Sequence, residues 1–533
     1  LRTNGLPEAM IAARGAIAPV STEEMLSLLP NLARPEAKKM LVIGLGGGLA
    51  LDAVPPSMEE VDVFELEPLV VEANRVIAKR RDRNFLADPR VRVVCNDARG
   101  GLALTNKKYD VIVSQPSHPW TAGASHLYTR EFMEEVQEHL TDRGVFAQWI
   151  DINFVDQPLL QSLGATLLDV FPHVRLYRPA EDSLVFLASA APLAMEEAIL
   201  ETDHPLAQGA DFYRKRGLRD VHNVAAMLTF DRPRLARFCK DAPLNTDDSN
   251  RLATRSLGAM SLAAKKDLED ALAEEDALLD SEGLRQRLNL NVDYLARLLH
   301  DQRQAERADR LVQSIGDPGA RRLAQARYEL HQGKHRESAA SLEAVLEAKP
   351  QSPGVPEIQA LLAVAKRLSL SEEIRSELKD PTKAVIEAMR SANQNDWDAV
   401  EATDSRLSLA TPQDACFPYA LLLRVRWRNE SAQTERAEEA LQLLEQAIPL
   451  SYKTMFLLPW ARTGLLVGDD AVVLGAVEKR IRIARGMKKK LLPGDRIDFV
   501  EKHEAILDAI EEPDPDLVGR ITRARAQLQS LLR

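Results

Sequence analysis

Short runs of apolar and β-branched residues recur through the first half of the chain, separated by glycine, proline and helix-like stretches. The runs are MLVIGL, VDVFEL, VRVVCND, YDVIVSQ, GVFAQWI, VRLY and SLVFLAS. The first five alternate with helical or loop segments, a rhythm that predicts a parallel, doubly wound α/β sheet. The last two are close together on either side of RPAED, which predicts a closing hairpin.

The second half of the chain has a different pattern, with Ala, Leu, Glu and Arg at helical spacing and little glycine. Residues 320–350 resemble a tetratricopeptide repeat (TPR). Small Ala326 and Ser338 are placed where two helices must pack closely, Gly333 falls in the turn, and Pro350 closes the second helix. This pattern predicts an irregular, TPR-like α-solenoid, with a plain helical bundle as the alternative.

These patterns predict three parts of the chain. Residues 1–35 contain a remnant N-terminal hairpin and a linking helix, opened by Ser21 and Glu24 at capping-box spacing. Residues 36–258 are predicted to form the α/β domain, and residues 259–533 the all-α domain.

Composition narrows the function classes. The chain has 533 residues, 45% of them hydrophobic, with a formal net charge of −11 and a pI of about 5.6. An acidic chain does not favour a nucleic-acid partner, and no apolar run reaches the roughly 18 residues of a membrane helix. The three cysteines, Cys95, Cys239 and Cys416, are far apart, so no disulfide or zinc site is expected and a reducing compartment fits.

The segment LVIGLGGGLALDAV is typical of a strand, a glycine turn and a helix. Gly44, Gly46 and Gly48 allow positive φ and let a ligand approach the backbone. Glu65 ends the next strand, 21 residues after Gly44, where a carboxylate can accept both ribose hydroxyls of a nucleoside. Alone the glycine turn is a weak signal, which Glu65 strengthens.

A third polar element follows the third strand at Asn96-Asp97. Asp97 can accept the adenine amino group while the backbone of Ala98 reads the ring edge. Together with the glycine turn and the ribose acid, it predicts a site for an adenosyl sulfonium. The alternative is that Asp97 only caps the helix beginning at residue 98.

The chain resembles the spermidine synthase (polyamine aminopropyltransferase) family over roughly residues 1–258. The stretches that carry the resemblance are VIGLGGG, VDVFELEP, DPRVRVVCNDARGGL, YDVIV and GASHLYTREFMEEVQEHLTDRGVFAQWI. The chain is most similar to the long bacterial branch, which often has a membrane-embedded N-terminal part; APLNTDDSNRL fits that branch too. The resemblance implies a Rossmann-like domain of the adenosylmethionine-dependent methyltransferase type.

The resemblance also implies an activity, the transfer of an aminopropyl group from decarboxylated S-adenosylmethionine to an amine, usually putrescine. By position, the three loop glycines would line the nucleoside, Glu65 would bind its ribose, and Asp97 with Ala98 its adenine. No metal is expected.

The chain departs from the family in the loop after the fourth strand. Family members resemble D-S-x-D-P there, and the first Asp helps to deprotonate the attacking ammonium. In this chain that position is Ser114, and the next polar candidates, Gln115, Ser117 and His118, are not anionic either. Desolvating an ammonium without a carboxylate costs several kcal/mol. The replacement of this Asp by Ser114 therefore bears on how the chain could carry out the transfer reaction.

Three interpretations of this loop stay open. His118 or His126 is the base for a different nucleophile, since imidazole removes protons near neutral pH. Alternatively a carboxylate comes from elsewhere, with Asp151 after the fifth strand best placed and Asp247 and Asp248 as further candidates. In the third interpretation the site binds nucleoside but has lost transfer chemistry.

Two aromatic residues belong to the same region. Tyr128 matches the family's aromatic in LYT and is predicted to contact substrate. Trp120 is either a core residue or an aromatic wall beside a cation.

Two other functions compete with aminopropyl transfer. One is methyl transfer from intact S-adenosylmethionine, because the fold and nucleoside pocket are shared. The other is an inactive nucleoside-binding module whose helical domain binds protein partners. The expected localisation is cytoplasmic, either free or as the cytoplasmic portion of a protein whose membrane part precedes Leu1. Family members often form dimers, and the short N-terminal hairpin leaves dimerisation open.

Overall fold

The computed structural model describes residues 2–3, 6–7, 11, 13–17, 21–116, 119–120, 123–255, 262–280, 283–348, 354–365, 370–431, 433–445, 447, 454–488, 492–510 and 513–532. The strands are β1 (Arg2–Thr3), β2 (Leu6–Pro7), β3 (Lys39–Ile43), β4 (Glu60–Glu65), β5 (Val91–Cys95), β6 (Tyr109–Ser114), β7 (Leu140–Asp151), β8 (His173–Ala180), β9 (Ser183–Ser189) and β10 (Leu228–Phe230).

Eight strands form one mixed sheet in the order β10-β8-β9-β7-β6-β3-β4-β5. The five strands β5, β4, β3, β6 and β7 are parallel, and β9, β8 and β10 continue the sheet antiparallel. The predicted doubly wound sheet and its closing hairpin are therefore confirmed. The edge strand β10 was not predicted, because three residues, Leu228–Phe230, are too few to give a periodic signal.

Helices connect and cover these strands on both faces. They are α1 (Thr22–Ala33), α2 (Leu49–Asp52), α3 (Pro68–Ile77), α4 (Ala98–Ala103), α5 (Arg130–His139), α6 (Gln157–Val170), α7 (Met195–Ala198), α8 (Asp211–Arg214), α9 (Val221–Met227), α10 (Arg232–Phe238) and α11 (Arg251–Arg255). The predicted capping box at the start of α1 is present, since Glu24 N donates to Ser21 Oγ and Ser21 N donates to Glu24 Oε2.

The central strands are buried on both faces because successive side chains enter different cores. On β6, Val113 joins the core under α1 and α9, whereas Ile112 joins the core under α5 and α6. Ser114 lies two residues after Ile112 and so points to the α5–α6 side. Tyr128 belongs to that second core.

A large helical region follows, as predicted. Its helices are α12 (Leu262–Glu274), α13 (Leu284–Arg287), α14 (Val292–Asp301), α15 (Ala305–Gln313), α16 (Pro318–His331), α17 (His335–Ala348), α18 (Val355–Ala365), α19 (Glu372–Glu377), α20 (Thr382–Asn393), α21 (Trp397–Ala402), α22 (Asp404–Leu407), α23 (Phe417–Glu430), α24 (Thr434–Glu445), α25 (Leu457–Val467), α26 (Asp470–Gly486), α27 (Pro493–Asp508) and α28 (Pro515–Leu532).

The helix pair α16–α17 has the close packing that the TPR pattern predicts. Ala326 and Ser338 are both fully buried, and Ser338 Oγ donates to the Ala326 carbonyl at 2.7 Å. Gly333 in the intervening turn has a φ of +77°. Pro350 lies outside the described residues.

The contacts that fasten the helical region to the rest of the chain include those of Arg307 and Arg14. Buried Arg307 on α15 donates to the Ala226 carbonyl of the α/β region at 2.7 Å, and Asp276 of the helical region accepts from the same guanidinium at 2.9 Å. At the N-terminus, Arg14 N donates to the Arg80 carbonyl while Arg14 Nη1 pairs with Asp514 at 2.9 Å. The predicted boundary between residues 258 and 259 falls in the undescribed segment between α11 and α12.

The cysteines are separate in the fold as well as in the sequence: Cys95 is exposed, Cys239 and Cys416 are buried, and all three are free thiols. Within the described ranges, no three His, Cys, Asp or Glu side chains are grouped so that they could hold a metal ion. Among these same residues, no helix has the length and apolarity needed to cross a membrane.

Candidate functional site

The glycine loop between β3 and α2 is left-handed at each of its three predicted positions. The φ angles of Gly44, Gly46 and Gly48 are +88°, +49° and +76°. A Cβ on Gly44 would lie 2.8 Å from the Gln115 carbonyl oxygen, and one on Gly48 would lie 2.1 Å from the Phe85 ring. Both conformation and space therefore require glycine at Gly44 and Gly48.

Buried side chains donate hydrogen bonds to the backbone carbonyls of this loop. Arg81 donates to the Gly47 carbonyl at 2.9 Å and pairs with Asp52 at 2.5 Å. Asn74 donates to the Gly46 carbonyl at 2.9 Å. The shape of the loop is thus stabilised by the protein's own hydrogen bonds.

Glu65, the last residue of β4, links its strand to the glycine loop. Its side chain is buried, Oε2 accepts from Leu45 N at 2.8 Å, and Oε1 accepts from Glu67 N at 2.9 Å. Each carboxylate oxygen can accept a second hydrogen bond. The carboxylate is therefore oriented by backbone donors at the position predicted for the ribose acid.

Asp97 is exposed and caps α4, because its Oδ2 accepts from Gly100 N at 2.8 Å. The capping role considered for Asp97 is therefore present in the structure. It occupies Oδ2 and does not exclude a ligand at Oδ1. Ala98 begins α4 and is buried.

The three elements predicted for the nucleoside site lie at one edge of the sheet. Ile43 on β3 pairs with Phe64 on β4, and Glu65 pairs with Cys95 on β5. The glycine loop, Glu65 and Asp97 therefore lie at the carboxyl ends of neighbouring parallel strands, where ligands of doubly wound sheets bind.

Ser114 ends β6 between the glycine-loop strand and β7, in register with Ile43 on one side and Gln148 on the other. Ser114 and Gln148 are fully buried. Ser114 Oγ, Gln148 Oε1 and Gln115 Oε1 have no hydrogen-bond partner within the described part of the chain. Gln115 Nε2, in contrast, donates to the Gly44 carbonyl at 2.7 Å and joins this wall to the glycine loop.

Gln148 was not among the predicted site residues. Its signal was available: a polar residue interrupts the apolar run GVFAQWI just before the carboxyl end of the strand. Buried polar groups almost always have partners in protein, bound water or ligand, so unpaired oxygens at this edge are compatible with a ligand that donates hydrogen bonds there.

Tyr128 lies within electrostatic reach of Asp151. Tyr128 is fully buried, and its hydroxyl has no hydrogen-bond partner among the residues described. Burial, and then the charge of Asp151, hold the pKa of Tyr128 well above its usual range. Asp151 ends β7, and its Oδ1 accepts from Asn153 N at 2.7 Å.

The other proposed carboxylate, Asp247, has structural partners. Its two oxygens each accept from Arg99 at 2.9 Å, and Oδ1 also accepts from Thr129 Oγ1 at 2.8 Å. Hydrogen bonds from Arg99 lower the pKa of Asp247 to about 2. The half-exposed His126 side chain places its Nδ1 3.3 Å from Asp247 Oδ1. The neighbouring Asp248 is exposed.

Asp247 therefore anchors the segment before α5 to α4. The bidentate pair with Arg99 was missed from sequence because its members are 148 residues apart. Only the three-dimensional fold shows that this acid is occupied.

Trp120 packs edge-to-face against Phe154 with 5.0 Å between ring centroids, and Phe154 contacts Trp149 at 6.0 Å. These rings form an aromatic wall next to the turn that begins at Asp151. Ser117 and His118 lie outside the described residues, so the prediction for His118 stays a prediction.

Residues 20–179 match the family model of the spermine/spermidine synthase domain. A polyamine aminopropyltransferase of Thermotoga maritima is 31% identical over 156 residues, covering 29% of this chain and 52% of that protein. One from Serratia proteamaculans is 31% identical over 159 residues, covering 30% and 55%. The matched segment spans about half the length of these relatives.

Solved structures similar to the chain include a spermidine synthase in complex with the transition-state analogue AdoDATO, 22% identical with a TM-score of 0.35, covering 41% of this chain and 74% of that one. The Thermotoga maritima spermidine synthase is 22% identical with a TM-score of 0.30, covering 46% and 74%. The sequence-based family resemblance is confirmed by the domain model over residues 20–179.

Proposed function

We propose that this chain, which carries a spermine/spermidine synthase domain, transfers an aminopropyl group from decarboxylated S-adenosylmethionine, or a related adenosyl sulfonium, to an amine. The observation that carries the proposal is the meeting of the left-handed glycine loop, Glu65 and Asp97 at one sheet edge. The polyamine aminopropyltransferases that the chain resembles support it.

On the donor side, the loop glycines allow the nucleoside to approach the backbone. The Glu65 lone pairs left free by Leu45 and Glu67 accept the ribose hydroxyls. Asp97 Oδ1 accepts the adenine amino group, and the Ala98 backbone reads the ring edge.

On the acceptor side, the unpaired buried oxygens of Ser114, Gln115 and Gln148 form a polar, uncharged wall. Leaving such an atom unpaired costs about 1–3 kcal/mol. An amine is well matched to this wall, because its N–H groups donate hydrogen bonds to hydroxyl and amide oxygens alike.

Asp151 supplies the negative charge that Ser114 lacks. In the transfer step the amine nitrogen attacks the carbon next to the sulfonium, a C–N bond forms, and the C–S bond breaks. The thioether leaves with the bonding electron pair, and the proton of the amine passes to the Asp151 carboxylate. The buried Tyr128 hydroxyl has no hydrogen-bond partner among the described residues, and we assign it a contact with the substrate in the field of the Asp151 charge.

A mass-spectrometric screen of adenosyl donors against amines tests this proposal. We expect the parent protein to form an aminopropylated product with an amine that binds to the uncharged wall of Ser114, Gln115 and Gln148. Ser114→Asp should gain transfer to putrescine, whereas the uncharged, similarly sized Ser114→Asn should not. No product with any amine, together with no donor binding by calorimetry, would overturn the proposal.

The same screen includes intact S-adenosylmethionine. A methylated acceptor formed from it, with no product from the decarboxylated donor, would replace aminopropyl transfer by methyl transfer.

A further inference from the structure

A cationic cleft lies between α26 and α28, on the helical region and apart from the sheet edge. It has a volume of about 490 Å³. Its lining residues are Glu478, Arg482, Arg485, Arg523, Ala524 and Gln527.

The acid in this cleft is already neutralised, and the bases are not. Glu478 accepts from Arg520 Nη2 at 2.9 Å and from Arg520 Nε at 3.2 Å. Arg482, Arg485 and Arg523 form no ion pair with any carboxylate that the structure describes. Three unpaired guanidinium groups therefore converge on one concave surface.

This concentration of charge is unfavourable without an anion. Arg482 and Arg485 are three residues apart on one helix face, where like charges repel. Burial lowers the pKa of the neighbouring Lys479 ammonium, and the positive charge of Arg482 lowers it further. The whole chain has a net charge of −11, so this positive potential is a local feature.

We propose that the cleft binds a small polyphosphate, that is, a ligand with two or more linked phosphate groups. Guanidinium groups present planar, fork-shaped donors that match phosphate oxygens two at a time. Three such groups suit a ligand with several adjacent anionic groups. The cleft volume falls in the range of small-molecule sites, about 300–1,000 Å³, which favours a compact ligand over an extended nucleic acid.

Calorimetric titration of the full chain with inorganic pyrophosphate at low ionic strength tests the site. We expect binding that weakens at least tenfold in Arg482→Gln/Arg523→Gln. The matched control, Arg336→Gln/Arg390→Gln, removes two exposed arginines of α17 and α20 and should bind like the parent. Because Arg482 and Arg523 are exposed and unpaired, the cleft variant should melt at or above the parent temperature.

Further titrations separate the kinds of anion. Tripolyphosphate and ATP should bind at least as tightly as pyrophosphate, and inorganic phosphate at least tenfold more weakly. Equal pyrophosphate affinity in the parent and the folded cleft variant would overturn the proposal. So would a cleft-dependent affinity for single-stranded RNA with none for pyrophosphate. Neither result depends on the transfer reaction, so this site can fail without the proposed function failing.

Discussion

The candidate site has a proposed donor wall, formed by the glycine loop and Glu65, and a proposed acceptor wall, formed by Ser114, Gln115, Gln148 and Tyr128. The two walls differ in whether their polar side chains have hydrogen-bond partners within the protein. On the donor wall, Glu65, Asn74 and Arg81 are bonded to the glycine loop or its neighbours. On the acceptor wall, Ser114 Oγ, Gln148 Oε1 and the Tyr128 hydroxyl are buried without partners among the described residues.

The difference has a physical meaning. A wall built from backbone conformation and internal hydrogen bonds has its shape before a ligand arrives, so little ordering opposes binding. A wall of unpaired buried oxygens is stabilised when a ligand donates hydrogen bonds to them. The donor wall should therefore be sensitive to shape, and the acceptor wall to polarity and charge.

Asp151→Asn is expected to have the largest effect on the acceptor wall. Removing the proposed proton acceptor should lower kcat by about 10²–10⁴-fold while donor affinity stays unchanged, since positioned bases contribute that much. Single-turnover kinetics with calorimetry of the donor measures both quantities. Asp248→Asn, at an exposed carboxylate, is the control. Unchanged kcat in Asp151→Asn would remove Asp151 from the mechanism.

Gly48→Ala should break the donor wall. The added methyl would meet the Phe85 ring, and the left-handed backbone adds roughly 1–2 kcal/mol of strain. We expect donor affinity to fall about 100-fold, or about 2.7 kcal/mol. Gly468→Ala is the matched control, because Gly468 has a φ of +73° with nothing within 4 Å of its Cβ position. If both variants bind donor equally well, the loop does not contact the donor.

Asp247→Asn should loosen the segment that carries Tyr128. In the folded parent protein, hydrogen bonds from Arg99 lower the pKa of the Asp247 carboxyl to about 2, below the usual value of about 3.9 in an unfolded chain. The ionised carboxylate therefore stabilises the fold above pH 4, and this contribution is lost as the pH falls towards 2. We expect a lower melting temperature for Asp247→Asn at pH 7 and a difference from the parent that narrows below pH 4.

Thermal melts of the two proteins from pH 7 to pH 2.5 measure that difference. Arg99→Gln should reproduce the loss at pH 7, because it removes the main partner of Asp247. A constant difference across the pH range would mean that the Asp247 charge is not what anchors the segment.

Tyr128→Phe should have the smallest effect on stability. The hydroxyl is buried without a partner, so its removal should leave the free energy of unfolding unchanged or raise it by up to about 1 kcal/mol. Urea unfolding measures this change. In the same variant kcat should fall while donor affinity stays constant. A loss of stability of several kcal/mol would show that the hydroxyl has a structural partner.

The sequence predicted elements whose signal is local. The positions of the parallel strands along the chain, the capping box at Ser21 and the left-handed glycines all follow from short, strongly patterned segments. The TPR-like contact between Ala326 and Ser338 belongs to the same class, because residue size and spacing determine it.

Features that depend on tertiary contact could not be predicted. The Arg99–Asp247 pair joins distant segments, and Asp247 had the same sequence signal whether free or paired. The capping bond of Asp97 and its proposed role in binding adenine use the same residue type at the same place, so sequence alone could not separate them. The unpaired state of Gln148 required the packing around it to be known.

Calorimetric titration of the parent chain with methylthioadenosine, the thioether expected as product, tests the central claim most directly. We expect one site with micromolar affinity, weakened by Gly48→Ala and unchanged by Asp151→Asn. No detectable binding of methylthioadenosine or of decarboxylated S-adenosylmethionine to the folded parent protein would contradict it.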